Sequence, residues 1–219
     1  MKLLLLSNSR TASGWLVDHV PAIRETAGDA KRAFFAPYAV VGTPWPELEE
    51  KLRAVLPDFQ YVKGIEEAEL VIVSGGNTFQ LLREVRSRGL LEKIRAKVKA
   101  GAPYIGWSAG ANLACPTIKT TNDMPVTDPG GLDALGLVPF QINPHYTNAH
   151  PAGHMGETRD QRLAEFALVN PELPVVGLPE GDWIRVSGTA AELCGPHPAV
   201  VFRGADAPRR VAPGLLRLP

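Results

Sequence analysis

Residues 103–116, PYIGWSAGANLACP, join a short apolar run to a run of small residues that ends at Pro116. The apolar run is typical of a buried strand, and the small residues before a proline are typical of a short helix. Between them, the pattern G-x-S-x-G fits a sharp turn that lifts the hydroxyl of Ser108 out of the backbone. The stretch predicts an α/β fold with Ser108 as a candidate nucleophile, but so short a motif needs support from the rest of the chain.

The remaining sequence alternates short apolar runs with amphipathic stretches, as a mostly parallel sheet with helices on both faces does. The predicted strands of this sheet are Leu3–Leu6, Ala33–Phe35, Leu70–Val73, Tyr104–Gly106 and Val175–Leu178. The predicted helices, in which apolar residues recur every three or four positions, cover residues 46–56, 78–101 and 159–169. We therefore predict a three-layer α/β fold.

The sequence changes character after about residue 180, where glycine and proline separate short apolar segments. The segments DWIRVSG (182–188), AAELCG (190–195) and AVVFRG (199–204) predict antiparallel strands at one edge of the sheet. The final stretch, residues 207–219, is rich in proline and arginine. We interpret it as a solvated terminal segment without a function.

The composition is that of one globular domain, which we expect to cover residues 1–219. Hydrophobic residues make up 45% of the chain and charged residues 21%. Lys+Arg and Asp+Glu both total 23, so we expect neither nucleic acid nor a membrane surface as a partner. The opening run of leucines is too short for a signal peptide or a membrane span.

The two cysteines, Cys115 and Cys194, form neither a disulfide framework nor a metal-binding spacing. This pattern favours a reducing cytoplasm as the location of the protein. We expect both side chains to be packed thiols.

A second strand, turn and helix lies upstream of the serine, in LVIVSGGNTFQLL (70–82). If its strand neighbours the strand before Ser108, the backbone N–H groups of Gly76 and Ala109 lie side by side. Paired N–H groups of this kind stabilise the oxyanion that forms when a serine attacks a carbonyl. Gly76 and Ala109 are therefore the candidate oxyanion-hole residues.

A nucleophilic serine also needs a base, and the sequence favours His145 among the histidines. His145 lies in INPHYTN, where a loop after an apolar run can aim it at the serine. His19 lies in an early stretch that we also expect to be helical, and His197 lies between two prolines; both look structural or exposed. His150 and His154 share one Gly/Pro loop, but with His145 their spacing matches no standard zinc pattern, so we expect no metal.

Two carboxylates are candidates to orient the imidazole, and spacing does not choose between them. Asp123 lies in the connection 116–140, which exceeds ordinary loop lengths, as functional loops often do. Glu180 follows the apolar run PVVGL. We favour Glu180, because a rigid strand end would hold it in place.

Five stretches, in register along the chain, resemble the peptidase E family of serine peptidases, also called α-aspartyl dipeptidases. They are GGNTFQLL, GWSAGAN, TTNDMP, INPHY and GHMGETRDQRL, within about residues 70–187. The resemblance implies a class I glutamine amidotransferase-like fold, with serine in place of the cysteine of those enzymes. It also implies that Ser108 is the nucleophile and His145 the base, and it allows Asp123 or Glu180 as the third member.

Members of that family cleave dipeptides that begin with aspartate, which implies a cation for the aspartyl side chain. Arg159 in GETRDQR matches best, since a guanidinium pairs bidentately with a carboxylate. Asn77 and Thr158 are further candidate substrate-binding residues, and Thr158 is equally suited to cap a helix. We expect a small peptide substrate and no cofactor, and we allow for a homodimer.

Three alternative functions remain. A cyanophycinase-like exopeptidase, which takes an aspartate-backbone polymer, shares the serine turn, but the short chain favours a dipeptidase. An α/β-hydrolase esterase normally needs more chain than the 37 residues between Ser108 and His145. A catalytically silent binding protein on the same scaffold is disfavoured because the serine, the histidine and both acids are present.

Overall fold

The computed structural model describes residues 1–149, 153 and 155–218. The strands are β1 (Lys2–Leu6), β2 (Arg10–Thr11), β3 (Gly14–Trp15), β4 (Arg32–Ala36), β5 (Gln60–Val62), β6 (Leu70–Val73), β7 (Tyr104–Trp107), β8 (Gln141–Asn143), β9 (Val175–Gly177), β10 (Trp183–Ser187), β11 (Ala190–Cys194), β12 (Ala199–Phe202), β13 (Arg209–Val211) and β14 (Gly214–Leu215). The α-helices are α1 (Val20–Ala27), α2 (Trp45–Val55), α3 (Thr78–Ser87), α4 (Leu90–Lys99), α5 (Ala109–Ala114) and α6 (Arg159–Val169). Two 3-10 helices cover Val17–His19 and Ile65–Glu67. None of the described helices has the length and apolar character that crossing a bilayer requires.

The larger sheet carries the strand that leads into Ser108. Its strand order is β14-β11-β10-β1-β7-β6-β4-β5. β1, β7, β6, β4 and β5 are parallel, whereas β10, β11 and β14 are antiparallel and lie beyond β1. The prediction of a mostly parallel sheet with antiparallel edge strands from the C-terminal part is confirmed.

Helices cover both faces of this sheet, as β1 shows. Leu3 and Leu5 pack in one core cluster with α3, α4 and α5, and Leu4 and Leu6 pack in the other with α1 and α2. All four leucines are fully buried. A strand buried on both faces is a continuous apolar run in sequence, which is why MKLLLL indicates a central strand.

A second, smaller sheet has the order β13-β12-β9-β8, and the sequence analysis did not predict it. The assignment of Val175–Leu178 and AVVFRG to the larger sheet is wrong. The reason is that β10 fills the edge of β1 over the whole register from Lys2↔Ser187 to Leu6↔Trp183. β9 instead pairs in parallel with β8 and antiparallel with β12. α6 covers one face of this sheet, where Leu163, Ala167, Val175 and Phe202 form a separate small core.

The C-terminal stretch is part of the fold rather than a solvated segment, which corrects a second prediction. β13 pairs with β12, and β14 pairs with β11. Leu216, which follows β14, is buried. Both sheets therefore end in strands that this stretch supplies.

Residues 78–101 form two helices instead of the single predicted one. α3 ends at Ser87 and α4 begins at Leu90, with Gly89 between them at a φ of 64°. Glycine adopts this left-handed conformation readily, and it interrupts the helical hydrogen bonds. Both helices bury their apolar faces in the same core cluster, so the apolar spacing continues across the break.

The two cysteines lie in different environments, although both thiols are free. Cys115 is buried, as predicted, and burial raises the pKa of its thiol to about 12. Cys194, at the end of β11, is only partly buried, so it is less packed than predicted.

This difference predicts the order in which the thiols react with iodoacetamide, because the thiolate is the reacting species. In the native protein at neutral pH, Cys194 should be alkylated first, and Cys115 should react only after unfolding in guanidinium. Mass spectrometry of proteolytic peptides distinguishes the two sites. Equal rates at both sites in the native protein would contradict the burial of Cys115.

Candidate active site

Ser108 lies on a tight turn between β7 and α5. Its φ of 51° and ψ of −109° are unusual for a residue with a side chain. The glycines on either side allow the turn to pack closely: a Cβ on Gly106 would lie 2.5 Å from the carbonyl oxygen of Gly110. A Cβ on Gly110 would lie 2.4 Å from the carbonyl oxygen of Val73 in β6. Strained backbone of this kind occurs mainly where surrounding packing enforces it, often at functional sites.

Ser108, His145 and Glu180 form a continuous hydrogen-bonded line. The Nε2 atom of His145 lies 2.9 Å from the Oγ atom of Ser108. The Nδ1 atom of the same ring lies 2.6 Å from Oε1 of Glu180. With its proton on Nδ1, neutral His145 donates to Glu180 and accepts from the serine hydroxyl. In this arrangement His145 is placed to act as a base toward Ser108, and Glu180 is placed to orient the imidazole ring.

His145 is held in place through Ser7, a residue that the sequence analysis did not single out. The backbone N–H of His145 donates to Oγ of Ser7 at 2.8 Å, and this hydroxyl donates to the carbonyl oxygen of Leu178 at 2.8 Å. The N–H of Tyr146 donates to the same carbonyl at 3.0 Å. These contacts fix His145 at a φ of 53°, beside the ends of β1 and β9. The only sequence signal was a polar residue immediately after the leucine run.

Asp123 lies near Ser108 but does not contact His145. Its Oδ2 atom accepts hydrogen bonds from the N–H of Thr78 at 2.7 Å, from the Thr78 hydroxyl at 2.6 Å, and from the Thr121 hydroxyl at 3.1 Å. Thr78 is the first residue of α3, whose N–H has no acceptor within the helix. A carboxylate at this point satisfies that N–H and interacts favourably with the helix dipole.

Asn77 and Thr158, which we expected to bind substrate, both cap helices. The side chain of Asn77 accepts from the N–H of Gln80 and donates to the carbonyl oxygen of Met124. The side chain of Thr158 accepts from the N–H of Gln161 and forms a capping box with that residue. Neither residue lines the cavity beside Ser108. Their described contacts are those of helix caps.

A cavity of about 610 Å³ opens beside Ser108. Besides Ser74, Ser108, His145 and Glu180, its polar lining comes from three parts of the chain. They are the hairpin β2–β3 with the residues before it, the Gly75-Gly76 turn, and the 116–140 connection. The lining residues of these parts are Asn8, Ser9, Arg10, Gly75, Gly76, Thr121, Asn122 and Asp123. Apolar lining comes from Trp15, Val40, Leu48 and Trp107.

The turn of Gly75 and Gly76 and the start of α5, which carry the candidate oxyanion-hole residues Gly76 and Ala109, both adjoin Ser108. A Cβ on Gly75 would lie 3.2 Å from Cβ of Ser108, so this turn touches the serine directly. Gly76 has a φ of 137°, and a Cβ there would lie 2.3 Å from the carbonyl oxygen of Ala39, so the position requires glycine. Ala109 begins α5, and its N–H belongs to the first helical turn, where no carbonyl of the helix can accept it.

Arg159 is the first residue of α6 and does not line the cavity beside Ser108. It lines a neighbouring cavity of about 430 Å³, where its guanidinium donates to Oδ1 of Asn122 and, at 3.2 Å, to Oδ1 of Asn143. Burial lowers the pKa of this guanidinium, which nevertheless stays protonated. Thr121, Asn122 and Asp123 line both cavities, so this segment forms the boundary between Arg159 and the space beside Ser108.

The other histidines give no metal centre in the part of the chain that the structure describes. No group of three or more His, Cys, Asp and Glu side chains there could hold a metal ion. His150 and His154, weighed above with His145, lie outside the described residues. His19 is buried, and His197 lies 3.3 Å from Asp182.

Comparison with known proteins gives consistent matches over nearly the whole chain. The sequence model of peptidase family S51 matches residues 3–194. A peptidase E of Citrobacter koseri is 54% identical and one of Shigella flexneri is 53% identical, each over 94% of this chain and 95% of the relative.

Solved structures show the same fold. The crystal structure of a peptidase from an acI-B1 Actinobacterium superposes with a TM-score of 0.65 at 15% identity, over 96% of this chain and 93% of that one. The predicted class I glutamine amidotransferase-like fold is thereby confirmed.

Proposed function

The chain belongs to peptidase family S51, and we propose that it is a serine-type dipeptidase that hydrolyses dipeptides with an N-terminal aspartate. The observation that carries the serine mechanism is the line from Ser108 through His145 to Glu180, with distances of 2.9 Å and 2.6 Å. Both free cysteines fit the reducing cytoplasm, where we propose that the peptidase acts.

Acylation begins when Oγ of Ser108 attacks the carbonyl carbon of the peptide bond and Nε2 of His145 takes the hydroxyl proton. The N–H groups of Gly76 and Ala109 stabilise the negative oxygen of the tetrahedral intermediate. The C–N bond then breaks, and His145 gives its proton to the amino group of the leaving residue. The aspartyl residue stays bound to Ser108 as an ester.

Deacylation repeats the same transfers with water in place of the leaving residue. His145 takes a proton from water, the water oxygen bonds to the acyl carbon, and the ester C–O bond breaks. The proton returns from His145 to Oγ of Ser108, and free aspartate is released. Throughout, Glu180 accepts the Nδ1–H of His145 and stabilises the imidazolium.

We assign Asp123 to the amino group of the substrate. Its Oδ2 atom is engaged by Thr78 and Thr121, whereas Oδ1 accepts no hydrogen bond from the described residues. Asp123 lines the cavity beside Ser108 and carries a negative charge, which the ammonium group of an unblocked dipeptide complements. An enzyme that anchors this group acts on the first residue of its substrate.

We assign Arg159 to the aspartyl side chain. Among the described residues, its guanidinium contacts the neutral amide oxygens of Asn122 and Asn143 and no carboxylate. A substrate carboxylate would provide the compensating charge and two oxygens in a geometry that matches the guanidinium. Because Asn122 lies in the segment between the two cavities and accepts from Arg159, we expect the Asn122 side chain to rotate when substrate binds.

This assignment predicts that Asp-Leu exceeds Asn-Leu by about 10²-fold in kcat/KM, since the amide leaves the charge of Arg159 unpaired. Glu-Leu keeps the charge, but its additional methylene should also make it a poor substrate. Arg159→Met should remove most of the preference for Asp-Leu over Asn-Leu. Steady-state kinetics with the three dipeptides measure the effect.

Arg162→Met is the matched control, because Arg162 lines the same cavity of about 430 Å³ as Arg159 but its guanidinium lies 3.6 Å from Glu157. This variant should keep the wild-type preference. If Arg159→Met still rejects Asn-Leu as the wild type does, another cation recognises the substrate.

The serine mechanism has a test that does not depend on specificity. A fluorophosphonate should add once to the wild-type protein, at Ser108, and should not add to Ser108→Ala. Intact mass and peptide mapping show the site. A wild-type protein that cleaves Asp-Leu but takes no label would argue against Ser108 as nucleophile, and one that does neither would be a silent binding protein.

A further inference from the structure

Arg10 is a cation within the cavity of Ser108 that the proposed function has not used. It lies on β2 of the hairpin β2–β3, its side chain is exposed, and it lines the cavity. Within residues 1–149, 153 and 155–218, its guanidinium pairs with no carboxylate. The cavity therefore contains an arginine that forms no ion pair with any carboxylate of the described residues.

The hairpin that carries Arg10 is fixed to the loop of Glu180. The side chain of Asn8 donates to the carbonyl oxygen of Arg10 at 2.5 Å and accepts from the N–H of Gly181 at 2.8 Å. Asn8 itself is buried. The backbone at Arg10 is thus held at a set position relative to the residue that follows Glu180.

The lining of the cavity comes from elements on both sides of the larger sheet. Trp15, Val40 and Leu48 of its lining pack with the core cluster of α1 and α2. Asp123, in contrast, is bound to Thr78 of α3, which belongs to the other face. If the amino end of the substrate lies at Asp123, the leaving residue lies toward the hairpin and α2.

The end of the cavity near the hairpin β2–β3 and α2 fits an apolar residue with a free carboxylate. Trp15 packs edge-on against Trp107 at 5.9 Å between ring centroids, and its Nε1 donates to Oγ of Ser9. The two rings form an apolar wall beside the serine. In a dipeptide, the leaving residue ends in a carboxylate. This carboxylate lies about one residue length, 3.8 Å, beyond the cleaved bond.

We propose that Arg10 binds the terminal carboxylate of the leaving residue, and that it thereby selects dipeptides over longer or blocked peptides. The inference rests on the proposed dipeptidase function and adds a second carboxylate contact to it. Guanidinium–carboxylate pairs are strong and directional, so the contact favours substrates that end one residue after the aspartate. The apolar wall favours a leaving residue such as leucine.

The test compares Asp-Leu with Asp-Leu amide, in which the terminal carboxylate is absent. The wild type should prefer Asp-Leu by about tenfold or more in kcat/KM, as a charge-assisted contact at a partly exposed site allows. Arg10→Gln should lower kcat/KM for Asp-Leu by about tenfold, mainly through KM, and leave the value for the amide unchanged. Arg10→Lys should keep part of the preference.

Arg24→Gln is the matched control, because Arg24 lies on α1, pairs with Asp58 and does not line the cavity. It should behave as the wild type with both substrates. Equal losses on both substrates in Arg10→Gln, or a wild type that does not distinguish them, would overturn the role of Arg10. A wild type that cleaves neither substrate would instead overturn the dipeptidase function itself.

Discussion

Ser108→Ala and His145→Ala should each lower the turnover of Asp-Leu by about 10⁶-fold, and the double variant should be no slower than either single one. In the proposed mechanism the hydroxyl and the imidazole act in one step, since the oxygen attacks as its proton moves across the 2.9 Å contact to Nε2. Once either Oγ of Ser108 or Nε2 of His145 is removed, this step is already lost, so removing the other atom should cause no further loss of rate. Progress curves at high enzyme concentration measure the residual rates.

Ser87→Ala is a matched control, because Ser87 ends α3, and its hydroxyl donates to the carbonyl oxygen of Glu84 on the same helix. It should retain wild-type turnover. Circular dichroism and thermal melts should show all variants folded. Losses that multiply in the double variant would mean that Ser108 and His145 act independently, which a nucleophile and its base cannot do.

The turn at Ser108 could be predicted because its information is local. One strand, two glycines and a short helix are adjacent in sequence, and each has a clear sequence signature. The same holds for β1 and β6, which are continuous apolar runs because both of their faces are buried.

The position of His145 could not be predicted in the same way, because distant contacts set it. The hydroxyl of Ser7 joins the N–H of His145, 138 residues later, to the carbonyl of Leu178, 171 residues later. No local pattern marks Ser7 as part of the site. Likewise, nothing in the local sequence at Arg10 shows that the hairpin lies beside the cavity.

The smaller sheet was missed for a related reason. The apolar run of β9 is compatible with any parallel neighbour, and only the occupation of the edge of β1 by β10 excludes the larger sheet. Several strands could pair with the edge of β1, and strand propensity does not determine which of them does so. The consequence reaches the site, since β8 and β9 lead into the loops of His145 and Glu180.

Glu180→Gln should lower kcat by about 10³-fold or more, because the amide changes the tautomer of His145. A glutamine NH₂ group facing Nδ1 donates to that nitrogen and leaves the ring proton on Nε2, where it blocks transfer from Ser108. Solvent screens part of the charge effect, since the side chain of Glu180 is 64% exposed. The tautomer effect remains, and it should appear in kcat rather than in KM.

Asp123→Asn is the comparison that separates the two acids, and it should behave differently. The amide oxygen of the asparagine can still accept from Thr78 and Thr121, so the start of α3 should stay capped. If Asp123 binds the substrate amino group as proposed, the lost charge should weaken that binding and raise KM, while kcat should stay within about tenfold of the wild type. Initial rates measured over a wide range of Asp-Leu concentration separate kcat from KM. A collapse of kcat in Asp123→Asn beside a mild effect in Glu180→Gln would transfer the orienting role to Asp123, and it would require the 116–140 connection to move toward His145 during turnover.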